Sequence, residues 1–430
     1  MIMKKRLLVV LLSLASIGTT WAEVYQVNAQ SAKQAGMGHL GVAMKLGAES
    51  MHFNPAALSF MKNRVDLSIG MSAVFSDITY DGNGSETKSN NKTGTPIYIY
   101  SAFRIYDNLS AGISFTTPYG NSVSYDKNWA GAHLIQDISL KVYAFQPTIS
   151  YRPIEWLSLG AGLVAEFGTV DLSRALMPVG SLVPMLGPDY ADVVPVQTTL
   201  KGEAGVRMGY NLGAMVDLSS KVTLGMSYRS KIDAKVEDGT AIVEYANEPI
   251  KQALVNQIPP LDQGTFKASL PMPSNLTVGV AYQVTERLLL SGEVQLIGWG
   301  TYDYLSLDFS EEVLNGYSIK AKKNYHNTRA YRVGGEYAIT NRFDLRLGAY
   351  YDQSPVDDDY LNPETPSMDK LALSTGFSFR PTESVSINAS FVMVHGFGRD
   401  GSYTDKLAGE FKGHYKANAL MPSVGIGYTF

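Results

Sequence analysis

Over its last residues the chain alternates strictly: Leu420, Pro422, Val424, Ile426, Tyr428 and the terminal Phe430 are apolar, while Ala419, Ser423, Gly425, Gly427 and Thr429 between them are small or polar. A period of two describes a β-strand with one face in an apolar medium and the other in a wet one. The pattern runs through to the aromatic Phe430. Such a strand, with both faces spoken for and an aromatic residue at its end, is how an outer-membrane β-barrel closes.

The same alternation recurs upstream. Phe343, Leu345, Leu347, Ala349 and Tyr351 alternate with Arg342, Asp344, Arg346, Gly348 and Tyr350; Leu371 to Phe379 and Val385 to Met393 repeat the pattern, and similar runs lie at 157–167, 204–218 and 222–228. Each is close to the ~9–11 residues that a tilted membrane-spanning strand needs. Short connections, centred on Tyr106-Asp107-Asn108, Arg152-Pro153-Ile154-Glu155, Ser219-Ser220-Lys221, Val284-Thr285-Glu286, Ile339-Thr340-Asn341 and Pro381-Thr382-Glu383, interleave with long ones near 81–94, 121–137, 176–198, 244–264, 309–323, 354–369 and 398–411. This arrangement predicts an all-β, 14-stranded antiparallel transmembrane barrel over residues 65–430, with tight periplasmic turns, long outer loops and both chain ends on the periplasmic side. The first strand is expected near Val65 to Tyr80.

At the other end, Lys4, Lys5 and Arg6 precede an apolar run from Leu7 to Ala15 and a polar stretch ending Thr20-Trp21-Ala22. These are the three regions of a secretory signal peptide, residues 1–22, with cleavage expected after Ala22. Its loss leaves 33 of the 36 basic residues against 40 acidic ones, 33 − 40, a formal charge of about −7. That balance opposes a nucleic-acid partner. There is no cysteine, which excludes disulfides and thiolate chemistry. The 26 tyrosines suit a membrane interface, where an apolar ring and a wet hydroxyl are both satisfied.

Residues 23–64 show no alternation. A barrel of this strand number leaves an interior wider than its own side chains fill, so this stretch is expected to fold into the lumen as a hatch. It carries Asn28-Ala29-Gln30-Ser31, Gly36-Met37-Gly38 and Phe53-Asn54-Pro55-Ala56-Ala57-Leu58-Ser59. With Phe115-Thr116-Thr117-Pro118-Tyr119-Gly120, Trp156 to Gly162, Tyr228-Arg229-Ser230, Leu270 to Asn275 and Asp352 to Val356, these segments resemble, in order along the chain, the FadL/TodX family of outer-membrane transporters for long-chain fatty acids and hydrocarbons. The resemblance implies a hatch motif at Asn54, Pro55 and Ala56. It also implies a lateral wall opening at Thr117, Pro118, Tyr119 and Gly120, and passive transport by loop capture, hatch rearrangement and sideways release into the outer membrane of a Gram-negative bacterium.

Two loops are greasy enough to capture an amphiphile: Leu176, Met177, Leu182, Val183, Met185 and Leu186 in one, and Ile250, Leu254 and Ile258 in the other. The alternative is that the loops cap each other as a small core. Extrapolated alternation turns Glu166, Glu203, Arg207, Arg229, Glu293, Arg332, Glu336, Asp344 and Arg346 into the lumen, chiefly as a bracing network, with Arg174 and Arg229 the first candidates to receive a ligand carboxylate. The six histidines are scattered without metal-site spacing and no nucleophile elbow accompanies the serines, so neither metal, cofactor nor catalysis is expected. The partners expected are hydrophobic small molecules, outer-membrane lipid and the barrel-assembly machinery, which would read the C-terminal strand of a monomer. Two rival functions are a transport-inactive barrel that serves as a docking or shuttle platform for secreted proteins and an outer-membrane lipase.

Overall fold

A computed structural model describes residues 24–430 except 83, 257, 259, 260, 314, 315, 406 and 407. The expected signal peptide lies outside the described residues. The strands form one antiparallel ring of fourteen. In chain order they are β1 (Val65–Ser72, continuing as Phe75–Gly82), β2 (Ile97–Tyr106), β3 (Leu109–Ser124), β4 (Asp137–Ile154), β5 (Leu157–Ala175), β6 (Val196–Asp217) and β7 (Val222–Arg229, then Ile232–Tyr245). There follow β8 (Leu261–Met272, then Asn275–Gln283), β9 (Leu288–Ile297, then Tyr304–Val313), β10 (Gly316–Lys322, then Thr328–Thr340), β11 (Phe343–Asp352), β12 (Lys370–Phe379), β13 (Val385–Gly396, then Arg399–Asp405) and β14 (Gly409–Thr429). The ring closes where β14 pairs with β1 from Asp66↔Thr429 to Ser72↔Ser423. Val65 and Phe430 exchange both backbone hydrogen bonds, at 2.9 and 3.1 Å, so the first and last strands leave no open edge where they meet.

The alternation settles which face meets lipid. Ile69, Ile149, Leu163, Val206, Leu212, Leu347, Leu373 and Ile426 point outward and are exposed, an apolar belt stabilised by contact with acyl chains. Tyr106, Tyr151, Trp156, Tyr337, Phe379 and Phe430 ring the short-turn end, where amphipathic rings favour the interface.

Above the belt the outward medium becomes water and the chemistry of the two faces exchanges. On β5 the outward positions pass from Leu159, Leu163 and Phe167 to Thr169 and Asp171, while Val170 and Leu172 turn inward. On β6 a bulge between the Glu166/Arg207 and Gly168/Ala204 pairs flips the parity, so Leu200 is buried inside and Lys201 pairs with Asp171 on the outside at 3.7 Å. Glu203, expected in the lumen, therefore faces outward: alternation extrapolates only as far as the next bulge. Two segments read as long loops are also wall. Tyr304–Val313 with Gly316–Lys322, and Arg399–Asp405 with the start of β14, are hairpins that extend the barrel outward. Likewise Asn121–Ser124 belongs to β3 and Arg152–Ile154 to β4.

Residues 24–64 lie inside the barrel as short helical turns, Ala32–Ala35, Ser50–Phe53 and Pro55–Phe60 among them. Nearly all are buried. From the outer end the segments 125–136 and 353–369 also fold inward, burying Trp129, Leu134, Val356, Leu361 and Met368 in a core shared with the strands.

Candidate functional site

The hatch is fixed to the wall at the Asn-Pro-Ala motif. Asn54 caps the turn Pro55–Phe60, its Oδ1 accepting from Ala56 N at 3.1 Å. Its Nδ2 donates across the hatch to Val42 O at 2.7 Å and to the wall at Ala214 O, 3.1 Å. Ser150 of β4 and Ser158 of β5 donate to Ala56 O at 2.8 and 2.6 Å. Backbone this close leaves no room for side chains: a Cβ on Gly160 would lie 2.3 Å from Pro55 C, and one on Gly225 would lie 2.0 Å from Val42 O. Two buried carboxylates add to the fastening. Glu293 of β9 accepts from Gly41 N and Val42 N at 2.6 and 2.5 Å, while hatch Glu49 accepts from Ser31 and from Ser68 of β1, both at 2.6 Å.

At β3 the wall is interrupted. Pairing with β2 ends at Tyr98↔Thr116, and pairing with β4 slips between Thr116 and Tyr119. Proline supplies no N–H for a ladder, and at Pro118 the strand takes the hatch as its neighbour instead. Val27 N donates to Pro118 O at 2.9 Å, Gly120 N to Tyr25 O at 2.8 Å, and Gln26 bridges Tyr119. The Thr117 hydroxyl donates to Ile97 O at 3.3 Å in place of a backbone bond. Beyond it lies a cavity of about 540 Å³ that runs through the wall, from Lys141 and Tyr143 to Tyr350, Val394 and Met421 of the lumen. Tyr143 marks the membrane side, stacked on Phe115 and near the exposed Phe167. All four residues expected at the opening, Thr117, Pro118, Tyr119 and Gly120, line this break.

The outer half of the lumen holds a second cavity, about 90 Å³, between Ile138, Leu140, Leu200, Val236, Phe266 and Leu307. Its lining is apolar except at Thr169, Tyr302 and Glu364. Glu364 accepts from Lys323 at 2.9 Å, and Lys323 is 1% exposed in its side chain. Burial lowers the Lys323 pKa, but the Glu364 carboxylate and the Tyr325 and Tyr403 hydroxyls more than offset this, leaving it raised and the ammonium charged. Arg174, 4.0 Å from Asp405, shares the field at Tyr403 with that pair. The apolar chamber thus has a charged end.

The residues expected to capture ligand divide. Leu176, Leu182, Ile250, Leu254 and Ile258 are buried against one another, with Met177 and Leu186 packed alongside, so the two greasy loops do form a small core. Val183 is half-buried and Met185 is 61% exposed at its outer surface. The chamber itself escaped the sequence reading, although Ala234, Val236, Phe266, Ala268 and Leu270 carry a period of two that could have disclosed it. Lys323 and Glu364 had no comparable signal, because their pairing depends on a loop folding inward.

Several of the remaining charges brace the wall from the lumen. Arg346 contacts Glu336 at 2.6 Å, Arg380 holds Asp344 through two bonds, and Arg332 donates to Gln295 at 2.5 Å. Arg207 reaches Glu237 at 2.6 Å, and Glu166 is buried with neither oxygen hydrogen-bonded. Arg229 is different: it reaches the hatch at His52 Nδ1, 3.3 Å away, and donates to Gln146 Oε1 of β4 at 3.2 Å, with no ion pair among the described residues. His52 meets Phe53 edge-on, at 82°, and His39 packs on it at a tilt of 57°. Burial, reinforced by Arg229 and Arg332 respectively, keeps both well below the ordinary histidine pKa and neutral.

The comparisons with known proteins give the family. The family model described as outer membrane protein transport protein (OMPP1/FadL/TodX) matches residues 12–430. The chain belongs to the FadL/TodX family. It is 24% identical to the long-chain fatty acid transport protein of Escherichia coli O6:H1, over 87% of each chain, and 23% identical to the 47 kDa outer membrane protein of Pasteurella multocida, over 96% and 95%. The crystal structure of a Pseudomonas aeruginosa FadL homologue superposes with a TM-score of 0.82 at 19% identity, covering 95% of this chain and all of that one. The Pseudomonas putida toluene transporter TodX gives 0.73 at 19%, covering 93% and 98%. FadL/TodX proteins are outer-membrane transporters of hydrophobic compounds rather than enzymes, and this chain is an outer-membrane protein of a Gram-negative bacterium.

Proposed function

We propose that this protein takes up long-chain fatty acids passively: the outer loops receive the amphiphile, the apolar chamber holds its tail, and after the hatch rearranges the ligand leaves sideways through the break at Pro118. The observation that carries the reading is the 540 Å³ cavity joining lumen to membrane face at β3. Sideways exit keeps the alkyl chain out of water, avoiding a cost of roughly 0.8 kcal/mol per methylene. Glu364 is the charged residue that lines the chamber. Its partner Lys323, with Arg174 beyond it, is the cation we assign to a ligand carboxylate, which would have to take the place of Glu364 or Asp405. Met185 and Val183 are the contacts left open for first capture. The barrel works as a monomer, and its C-terminal strand is the element the assembly machinery reads.

A docking or shuttle platform would need neither hatch nor wall break, and both are present. The test exploits the absence of native cysteine. Ser122→Cys, at the opening, is modified with a bulky maleimide; uptake of a labelled fatty acid is expected to fall to the background of cells lacking the protein, with heat-modifiable migration unchanged. Uptake at the unmodified rate would reject exit at this point.

A further inference from the structure

Between the hatch and the break in β3 lies a third space, about 60 Å³, bounded by Asn28, His52, Pro118, Tyr119, Arg229 and Glu293. One water needs only ~10–15 Å³, so several water-sized groups fit, whereas an alkyl chain does not. Two of its walls are unfinished. Arg229 is 8% exposed and its Nη1 has no hydrogen-bond partner; Asn28 is 2% exposed and neither of its amide atoms has one. A buried guanidinium nitrogen without an acceptor is costly unless something supplies one. The buried carboxylates nearby leave Nη1 unfilled: Glu293 Oε1 is occupied by the hatch amides of Gly41 and Val42, and Glu166, whose charge interacts with Arg229 through space, makes no hydrogen bond to it.

We propose that this chamber is a transit site for the carboxylate of the transported amphiphile, with Arg229 Nη1 and Asn28 Nδ2 as its donors. This rests on the fatty acid reading above and extends it, since it assigns a second head-group position beyond the one near Lys323. The position explains its use. Val27, Asn28 and Tyr119 line both this chamber and the cavity through the wall, so a head group held at Arg229 sits behind the strap that separates it from the exit. Its arrival recruits Asn28 and draws on the same segment that holds Pro118 and Gly120. Anionic amphiphiles are thereby favoured over neutral ones at the last step before the membrane, independently of how either is captured.

The test compares uptake of a long-chain fatty acid and of the alcohol of equal length in cells carrying the wild-type protein, Arg229→Gln, Arg229→Lys or Asn28→Ala. The ratio of acid to alcohol uptake is expected to fall about tenfold in Arg229→Gln, the effect of losing one charge-assisted contact, to fall less in Asn28→Ala, and to be largely restored in Arg229→Lys. Heat-modifiable migration identifies folded barrels; if Arg229→Gln fails that criterion, the Arg229→Lys and Asn28→Ala ratios decide. Excess acetate separates a free small anion from a tethered head group: the wild-type ratio is expected to hold, and its collapse would make this a small-anion site. A ratio unchanged in the variants, with wild-type uptake normal, would overturn the transit site alone. Absence of any fatty acid uptake by the wild-type protein would instead overturn the function on which it rests.

Discussion

Around Asn54 the hatch meets β4, β5 and β6 through made hydrogen bonds and glycines that admit its backbone to contact. Along β3 the strap of Tyr25 to Asn28 meets the wall through two ladder bonds, while Gln26 Oε1 and both amide atoms of Asn28 are left without partners. One end is bolted and the other is tied. Local opening begins where fewest buried bonds must break, so hatch rearrangement is expected to start at the strap, beside the wall opening, with the motif acting as its hinge.

The largest effect is expected at the bolted end. Asn54→Ala with Pro55→Ala strands Val42 O, Ala214 O and Ala56 N, at about 1 kcal/mol for each bond lost, and frees the backbone of the turn. The wall strands are untouched, so heat-modifiable migration should be unchanged while small polar solutes leak in. A double variant that stays closed to polar solutes and keeps wild-type fatty acid uptake would reduce the motif to a structural turn.

A smaller effect is expected at the tied end. Tyr25→Phe removes the bond from its hydroxyl to Pro271 O at 2.5 Å, worth about 1 kcal/mol, and leaves its ring against Trp299 at 4.8 Å. Faster uptake without solute leakage is the outcome expected. Leakage equal to that of the Asn54/Pro55 variant would erase the distinction between the two ends.

The smallest effect comes from pH. His39 and His52 are held neutral in the folded hatch, with pKa values below the ordinary ~6.5. As pH falls through ~6.5 the undocked hatch binds protons that the docked one does not, so docking weakens on acidification and is fully retained above that pH. Hydrogen exchange at pH 8 and pH 5 should show lost protection around 39–53 with Phe343–Asp352 unchanged. Equal protection of both segments at the two pH values would remove the histidines from the account.

How much of this was legible in the sequence follows from what surrounds each strand. Where lipid lies outside, as along Phe343–Asp352 and Val385–Gly396, apolar-out alternation identified the strand and its outward face. Where water lies outside, as along Tyr304–Val313 and Arg399–Asp405, the apolar residues turn inward and the outer ones are polar, so the membrane pattern is lost and hairpins read as loops. Bulges then shift the parity, which misplaced Glu203. The Asn54 turn was readable because its side chain and Pro55 act locally. The unpaired state of Arg229 and the Lys323–Glu364 pair were not, since each joins segments that only the folded lumen brings together.

The central claim, that the strap must leave β3 for ligand to pass, is tested most directly by tying it down. A Cβ on Gly120 would lie 3.7 Å from Val27 Cγ2, so Val27→Cys with Gly120→Cys places two thiols within bonding reach in a chain that has no others. Fatty acid uptake should fall to background in the oxidised protein and return on reduction, with the barrel folded throughout. Uptake at the reduced rate through the fully oxidised protein would show that ligand crosses without moving the strap, and would contradict the account.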